Sequence, residues 1–177
     1  MSKSSSTVSD WRGLLVLGHA ASGKSAWAEA ETLRQAGDPV YVATARVLDA
    51  EMRAKVDQHA ARRGLDWTLI EAPTELAATC ARAAAGQVLL VDCATMWLTN
   101  LMMDAADWKA PAEAWIAAMA ASPARFVVVS NDVGGGVTPD NPLARRFQRA
   151  QGALNQRLAA AMDAVVLVTA GLPQRLK

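Results

Sequence analysis

The sequence predicts an α/β fold: a mostly parallel sheet flanked on both faces by helices, in one domain. Three observations predict it. Short apolar runs recur along the 177 residues, with longer helical patterns between them. Those runs do not alternate polar with apolar residues, so both of their faces need cover. The hydrophobic fraction is 52% and the charged fraction 20%, which supplies an ordinary core and excludes a disordered or fibrous chain.

The elements follow in order. Met1–Asp10 is rich in Ser and Thr and lacks the apolar segment of a secretory signal. Residues 1–11 are expected to form a disordered tail and 12–177 the single domain. Gly13–Leu17 is the first strand, followed by a glycine-rich turn and a helix with Trp27 and Leu33 as apolar positions. Pro39–Ala43 is the second strand, and a helical pattern covers 48–63. Trp67–Ile70 is a weaker strand, Val88–Val91 and Phe126–Ser130 are stronger ones, and Val165–Thr169 closes the series. Asp140-Asn141-Pro142 is a helix start, a polar cap followed by proline in the first turn. Beyond it Leu143, Phe147, Ala150, Leu154, Leu158 and Met162 form one apolar stripe. Arg145, Arg146, Arg149 and Arg157 lie off the stripe on a solvated face, with the first two nearest to any anionic ligand. Trp11, Trp108 and Trp115 read as packing or surface positions.

Eighteen Lys and Arg residues against seventeen Asp and Glu leave a net charge of +1. That lacks the basic excess of a nucleic-acid binder and points to a small-molecule partner. Cys80 and Cys93 form neither a metal-ligand spacing nor a disulfide framework, which suits a reducing compartment. No apolar run approaches the ~18 residues of a membrane span. The cytoplasm is the expected location.

Immediately after the first strand stands Gly18-His19-Ala20-Ala21-Ser22-Gly23-Lys24-Ser25, which matches G-x-x-x-x-G-K-[ST]. Glycines allow a tight loop whose backbone N–H groups converge on phosphate oxygens. Lys24 is expected at the β- and γ-phosphates and the Ser25 hydroxyl at a magnesium ion. The following helix adds the positive end of its dipole. Strand before and helix after are the context this mechanism requires. Asp92, at the end of Val88–Val91, sits where a phosphate loop needs a second magnesium ligand; strand-ending or helix-capping aspartate is the plainer alternative.

The other strand ends matter because ligands of open α/β sheets bind there. Asn131-Asp132-Val133-Gly134-Gly135-Gly136 is either a pliable loop closing over a ligand or a surface connection. Trp97 and Leu98, after Asp92, fit a helix core or the floor of a large ligand site equally. His19 lies inside the phosphate loop, where it touches nucleotide or faces water. On the 48–63 helix, Met52, Val56, His59 and Arg63 are spaced four, three and four apart and share one face. That face offers a nucleophile beside an anion-stabilising guanidinium, or a packed, hydrogen-bonded histidine.

These motifs, taken in order, resemble the bifunctional adenosylcobinamide kinase/adenosylcobinamide-phosphate guanylyltransferases of cobalamin biosynthesis. The resemblance runs from Leu14 to Lys177. It rests on the phosphate loop, Tyr41-Val-Ala-Thr-Ala45, Asp49-Ala-Glu-Met52 with His59 and Arg62-Arg63, Trp67, Glu71, and Val91–Asn100. It continues through Val129–Gly134, Pro139–Asn141, Leu143–Phe147, Gly152, Asn155-Gln156 and Gly171–Pro173. The resemblance implies two reactions. ATP or GTP phosphorylates the aminopropanol hydroxyl of the corrinoid adenosylcobinamide, and GMP from GTP is then passed to that phosphate through a covalent guanylyl-histidine. That histidine falls on His59. Nucleotide contacts fall on Gly18–Ser25, on Thr44, Ala45 and Arg46, on Ala60, Ala61, Arg62 and Arg63, and on Glu71 and Asp92. It also implies magnesium at Ser25 and Asp92, a RecA-like nucleotide-binding core, and a homotrimer.

The chain departs from the family pattern at named positions. The family's loop commonly reads Gly-Gly-Ala-Arg-Ser-Gly-Lys-Ser, where this chain has His19 and Ala21. Its Ser-Asn-Glu-Val-Gly is Ser130-Asn-Asp-Val-Gly134 here, a carboxylate shorter by one methylene. Two other readings of the loop stay open from the residues alone: a kinase of another small alcohol or nucleotide with His59 structural, and a nucleotide-gated switch protein.

Overall fold

A computed structural model describes residues 11–46 and 67–177. In chain order the strands are β1 (Gly13–Gly18), β2 (Asp38–Ala43), β3 (Thr68–Glu71), β4 (Gln87–Asp92), β5 (Arg125–Asn131), β6 (Ala164–Thr169) and β7 (Leu172–Arg175). The helices among the described residues are α1 (Lys24–Arg34), α2 (Leu76–Ala81), α3 (Ala94–Met103), α4 (Lys109–Ala121) and α5 (Pro142–Ala161). The strands form one seven-stranded sheet in the order β3-β2-β4-β5-β1-β6-β7. All pairs are parallel except β6 with β7. The expected α/β fold is therefore present, and every apolar run of the sequence is a strand.

Alternation within the runs divides the core in two. Leu15, Val40, Val42, Leu89, Val91, Phe126 and Val128 face one layer, which they share with Trp97, Leu98, Trp115, Leu154 and Leu158 of the helices. Leu14, Val16, Tyr41, Val88, Leu90, Val127 and Val129 face the other, against Ala28 of α1 and the rings of Trp11, Trp27 and Trp67. A strand buried on both sides reads as continuously apolar because neither parity meets water.

Several expectations need correction. Trp11, assigned to the tail, is only 2% exposed and belongs to the second layer, so the packed domain reaches one residue further back. The rest of the expected tail lies outside the described residues. Leu33 is 53% exposed and Leu143 65%, and each stands in a terminal turn of its helix. On α1 the buried positions are instead Lys24, Ala28, Glu29, Glu31 and Thr32. Of the two readings left open for Trp97 and Leu98, the helix core holds: Trp97 packs against Trp115 at 5.2 Å between ring centroids and donates its Nε1–H to the Thr74 carbonyl (3.0 Å).

The start of α5 is as expected. Asn141 caps it, its side-chain oxygen accepting from the Leu143 and Ala144 N–H groups at 2.7 and 3.3 Å. Arg145 turns back to the Pro139 and Asp140 carbonyls (2.9 and 2.7 Å), while Arg157 pairs with Glu113 and lies over Trp108. The antiparallel β7 was not foreseen. It joins β6 through Ala170 and Gly171, both at positive φ, as a two-residue hairpin of that kind requires. Among the described residues, no helix is long and apolar enough to cross a membrane.

Candidate functional site

Because the neighbouring strands β3, β2, β4, β5, β1 and β6 run parallel, their carboxyl ends share one edge of the sheet. Glu71, Ala43, Asp92, Asn131, Gly18 and Thr169 stand along it in that order. The phosphate loop leaves from Gly18 and feeds α1. Its turn is fixed by the Ser22 N–H donating to the His19 carbonyl (3.2 Å), and the Ser22 carbonyl accepts from the Gly171 N–H of the β6–β7 turn (2.8 Å). Gly23 at φ 87° and Ala21 at φ 57° take the left-handed conformation. A Cβ on Gly23 would also come within 3.1 Å of the Gly171 Cα. Glycine is needed at Gly23 on both counts.

Lys24 is buried at the first position of α1, and its Nζ donates to the His19 carbonyl (3.1 Å). Burial lowers its pKa; Cys93 and Asp92, close by, act in the opposite sense. The ammonium is therefore held within the loop and near the end of β4. Ser25 follows it, half-buried. Ser22 Oγ is buried in the loop with no hydrogen-bond partner.

Asp92 ends β4, two strand positions from β1, or on the order of 10 Å across the sheet. Its Oδ2 accepts from the Tyr41 hydroxyl (3.0 Å), and the Tyr41 ring meets Trp67 edge-on at 5.9 Å. Glu71 lies four positions from β1, roughly 19 Å, and is exposed. Asp92 thus stands two strands from the phosphate loop and Glu71 four.

Thr44 is fully buried, and its hydroxyl is bonded to the main chain of Cys93 at 2.7 Å, both to the N–H and to the carbonyl. Asn100 Nδ2 joins the Thr44 and Pro73 carbonyls (2.8 and 2.9 Å). These bonds make Thr44 part of the frame under Asp92, whose peptide bond to Cys93 is cis. Arg46 forms a two-pronged pair with Asp104 (2.7 and 2.8 Å), which raises the Arg46 pKa and lowers that of Asp104. Burial pushes the Cys93 thiol up to about 11, with the Asp92 charge adding to it. The segment 48–63, with His59, Ala60, Ala61, Arg62 and Arg63, lies outside the described residues.

Beyond β5 the loop 132–136 reaches the phosphate loop. The Asp132 N–H donates to the Gly18 carbonyl (3.0 Å), and His19 Nδ1 lies 2.8 Å from the Asp132 carbonyl. The two departures His19 and Asp132 are therefore bonded neighbours. Behind them a buried polar network ties α5 to β5. Ser130 Oγ donates to Asn155 Oδ1 (2.6 Å), Gln151 Nε2 to both, and Asn155 Nδ2 to the Asn131 carbonyl (3.0 Å). Sequence reasoning missed this network and the Tyr41–Asp92 bond. The one available signal was polar residues among apolar ones, such as Ser130 at the end of the Phe126–Ser130 run and Gln151 beside the α5 stripe.

Comparison with known proteins gives a consistent picture. By structure the chain is similar to the flagellar accessory protein FlaH of Methanocaldococcus jannaschii, with a TM-score of 0.51 at 11% identity over 94% of this chain and 78% of that one. It is also similar to the RadB recombinase, with a TM-score of 0.51 at 16% identity over 88% and 73%. Those likenesses show the fold alone. By sequence it is 41% identical to the bifunctional adenosylcobalamin biosynthesis protein CobP of Pseudomonas aeruginosa, over 92% of this chain and 96% of the relative. It is 37% identical to the corresponding protein CobU of Salmonella typhimurium, over 93% and 99%. With the family model matching residues 14–176, the chain belongs to the cobinamide kinase / cobinamide phosphate guanyltransferase family.

Proposed function

We propose that this chain phosphorylates the aminopropanol hydroxyl of adenosylcobinamide with ATP or GTP and then converts the product to adenosylcobinamide-GDP with GTP. The observation that carries the reading is the phosphate loop on the carboxyl edge of the sheet, with Lys24 buried in it and Asp92 two strands away. Family membership selects the acceptor. The same resemblance supports a homotrimer, and the two unpaired cysteines suit the reducing cytoplasm.

In the first reaction the substrate hydroxyl attacks the γ-phosphorus. The bond to the bridging oxygen breaks, the nucleoside diphosphate leaves, and a proton is released. Lys24 and the loop N–H groups hold the phosphates in line and offset the charge that spreads over their oxygens. Ser25 and Asp92 fit a magnesium ion held mainly through phosphate: both offer hard oxygen, and Asp92 lies close enough to Lys24 to act on its pKa. Such an ion, when bound, draws further charge from the phosphate oxygens. Tyr41 holds one Asp92 oxygen in place.

In the second reaction a neutral His59 imidazole attacks the α-phosphorus of GTP. An N–P bond forms as the bond to the bridging oxygen breaks and pyrophosphate leaves. A phosphate oxygen of the substrate then attacks the same phosphorus, and the imidazole recovers its electron pair. Glu71 and the Arg62-Arg63 pair are assigned to nucleotide contacts away from the loop.

The test is incubation with magnesium and α-labelled GTP, comparing wild type, His59→Ala and His19→Ala. The expected label survives denaturation, is lost in acid, persists in base and is missing from His59→Ala alone. Label retained by His59→Ala, or absent from wild type that turns over both substrates, refutes the guanylyl-histidine and leaves a simple kinase.

A further inference from the structure

We propose that His19 is a positioning residue that fixes the 132–136 segment against the phosphate loop through one Nδ1–H bond to the Asp132 carbonyl. The inference rests on the reading that the loop holds nucleotide phosphates. β1 and β5 pair in parallel as far as Gly18 and Asn131. Pairing runs one step further, since the Asp132 N–H donates to the Gly18 carbonyl at 3.0 Å. The next residue of each chain then supplies the other contact, His19 Nδ1 at 2.8 Å from the Asp132 carbonyl. Both main-chain polar groups of Asp132 are thus held by consecutive residues of the phosphate loop.

The chemistry fixes the tautomer. A carbonyl oxygen only accepts, so Nδ1 carries a proton and is the donor in this contact. The ring lies on the glycine run: a Cβ at Gly135 would stand 3.4 Å from His19 Cε1 and 3.9 Å from Nε2. A methyl group at Gly135 would therefore rest in ordinary van der Waals contact with the ring. The rest of the segment is tied down independently. The Gly134 N–H donates to Asp132 Oδ1 (3.2 Å), and Gln148 Nε2 donates to the Val133 carbonyl (3.0 Å).

His19 also meets Lys24, because its own carbonyl accepts from Nζ. A phosphate that draws the ammonium to itself loosens that bond, and the imidazole carries any shift of the His19 backbone to Asp132. Occupancy of the loop is in this way relayed to the segment bearing the Asp132 carboxylate.

The experiment compares wild type with His19→Ala, His19→Asn and His19→Gln. An Asn amide nitrogen stands near the place of Nδ1, and a Gln amide nitrogen near that of Nε2. Two quantities are read: amide hydrogen exchange over residues 132–136 without nucleotide, and kcat with nucleotide KM for cobinamide phosphorylation. Loss of one neutral hydrogen bond predicts exchange faster by about 3- to 10-fold in the Ala and Gln variants. It predicts kcat lower by a similar factor, with nucleotide KM within about twofold. Asn restores both to about twofold of wild type. Unchanged exchange in His19→Ala, or recovery by Gln equal to that by Asn, overturns the proposal. If wild type binds no nucleotide, the functional reading falls, and the exchange comparison still decides the bond.

Discussion

Gly18→Ala is the substitution on which the geometry of the phosphate loop bears hardest. Gly18 ends β1, paired to β5 on one side and next to β6 on the other. A Cβ there would stand 2.7 Å from the Val168 carbonyl oxygen and collide with Ser22 Oγ. The hydroxyl can rotate away. The Val168 carbonyl belongs to a buried strand and retreats only if β6 moves. The loop backbone therefore has to give. Overpacking of this kind costs about 1–3 kcal/mol. For a chain of this length that lowers Tm by roughly 2–12 °C. The larger effect falls on binding, since displaced loop amides lose charge-assisted bonds to phosphate worth about 1.5–3 kcal/mol each. The expected result is a Kd for magnesium–GTP weaker by about 10- to 100-fold. Titration calorimetry and thermal melts measure the two quantities on one sample. Gly152→Ala is the control: a Cβ there meets nothing within 4 Å, on a helix where alanine is favoured by about 1 kcal/mol. It should melt slightly higher and bind as wild type. A Gly18→Ala protein with wild-type Kd and wild-type Tm would refute the argument from packing.

Other outcomes follow from single interactions. Tyr41→Phe removes the donor to Asp92 Oδ2; stability should fall by about 1 kcal/mol and the magnesium needed for half-maximal activity should rise, read by melts and by titration of the ion. Trp97→Phe, measured by urea unfolding, should cost about 1–3 kcal/mol, from the lost bond to Thr74 and the space left beside Trp115. Cys80 is pushed up to about 12 and Cys93 to about 11, in both cases chiefly by burial, so neither is a thiolate at pH 8. Iodoacetamide at that pH should label both only after denaturation, as read by mass. The Gly13 and Arg12 N–H groups, each at 2.8 Å, lower the Asp163 pKa. A depressed folded pKa means that the unfolded chain binds more protons. Its stabilisation is therefore full above the ordinary carboxylate value near 4 and lost as pH falls through the lower folded value. The Tm gap between wild type and Asp163→Asn should be full at pH 7 and shrink progressively below about pH 4.

What could be read from the sequence was what one stretch of chain decides. Continuous apolar runs gave the strands, because burial on both faces shows in composition without any knowledge of neighbours. The glycine-lysine pattern gave the loop, and Asn141-Pro142 gave the start of α5. The hairpin strand β7 carries no such mark: its residues Leu172–Arg175 are all exposed, and its pairing comes from the Ala170-Gly171 turn. Strand order was equally closed, yet strand order sets the site. Asp92 stands near the phosphate loop because only β5 separates β4 from β1, while Glu71 is two strands further out.

The same reasoning changes how departures from a family pattern are weighed. Along the chain His19 and Asp132 are 113 residues apart and read as two separate losses, a glycine gone from the loop and a carboxylate shortened. Across the β1–β5 junction they are successive contacts in one pairing, where the histidine adds a bond to the backbone that carries the shorter acid. A carboxylate that reaches less far depends more on the exact seat of its own backbone, and that seat is what an imidazole bonded to the carbonyl supplies. Replacing Asp132 by Glu in the wild-type background and in His19→Ala separates the two effects. If the longer acid recovers the kcat lost in His19→Ala and gains little beside an intact His19, reach and seating substitute for one another. If it acts equally in both backgrounds, the two positions are independent.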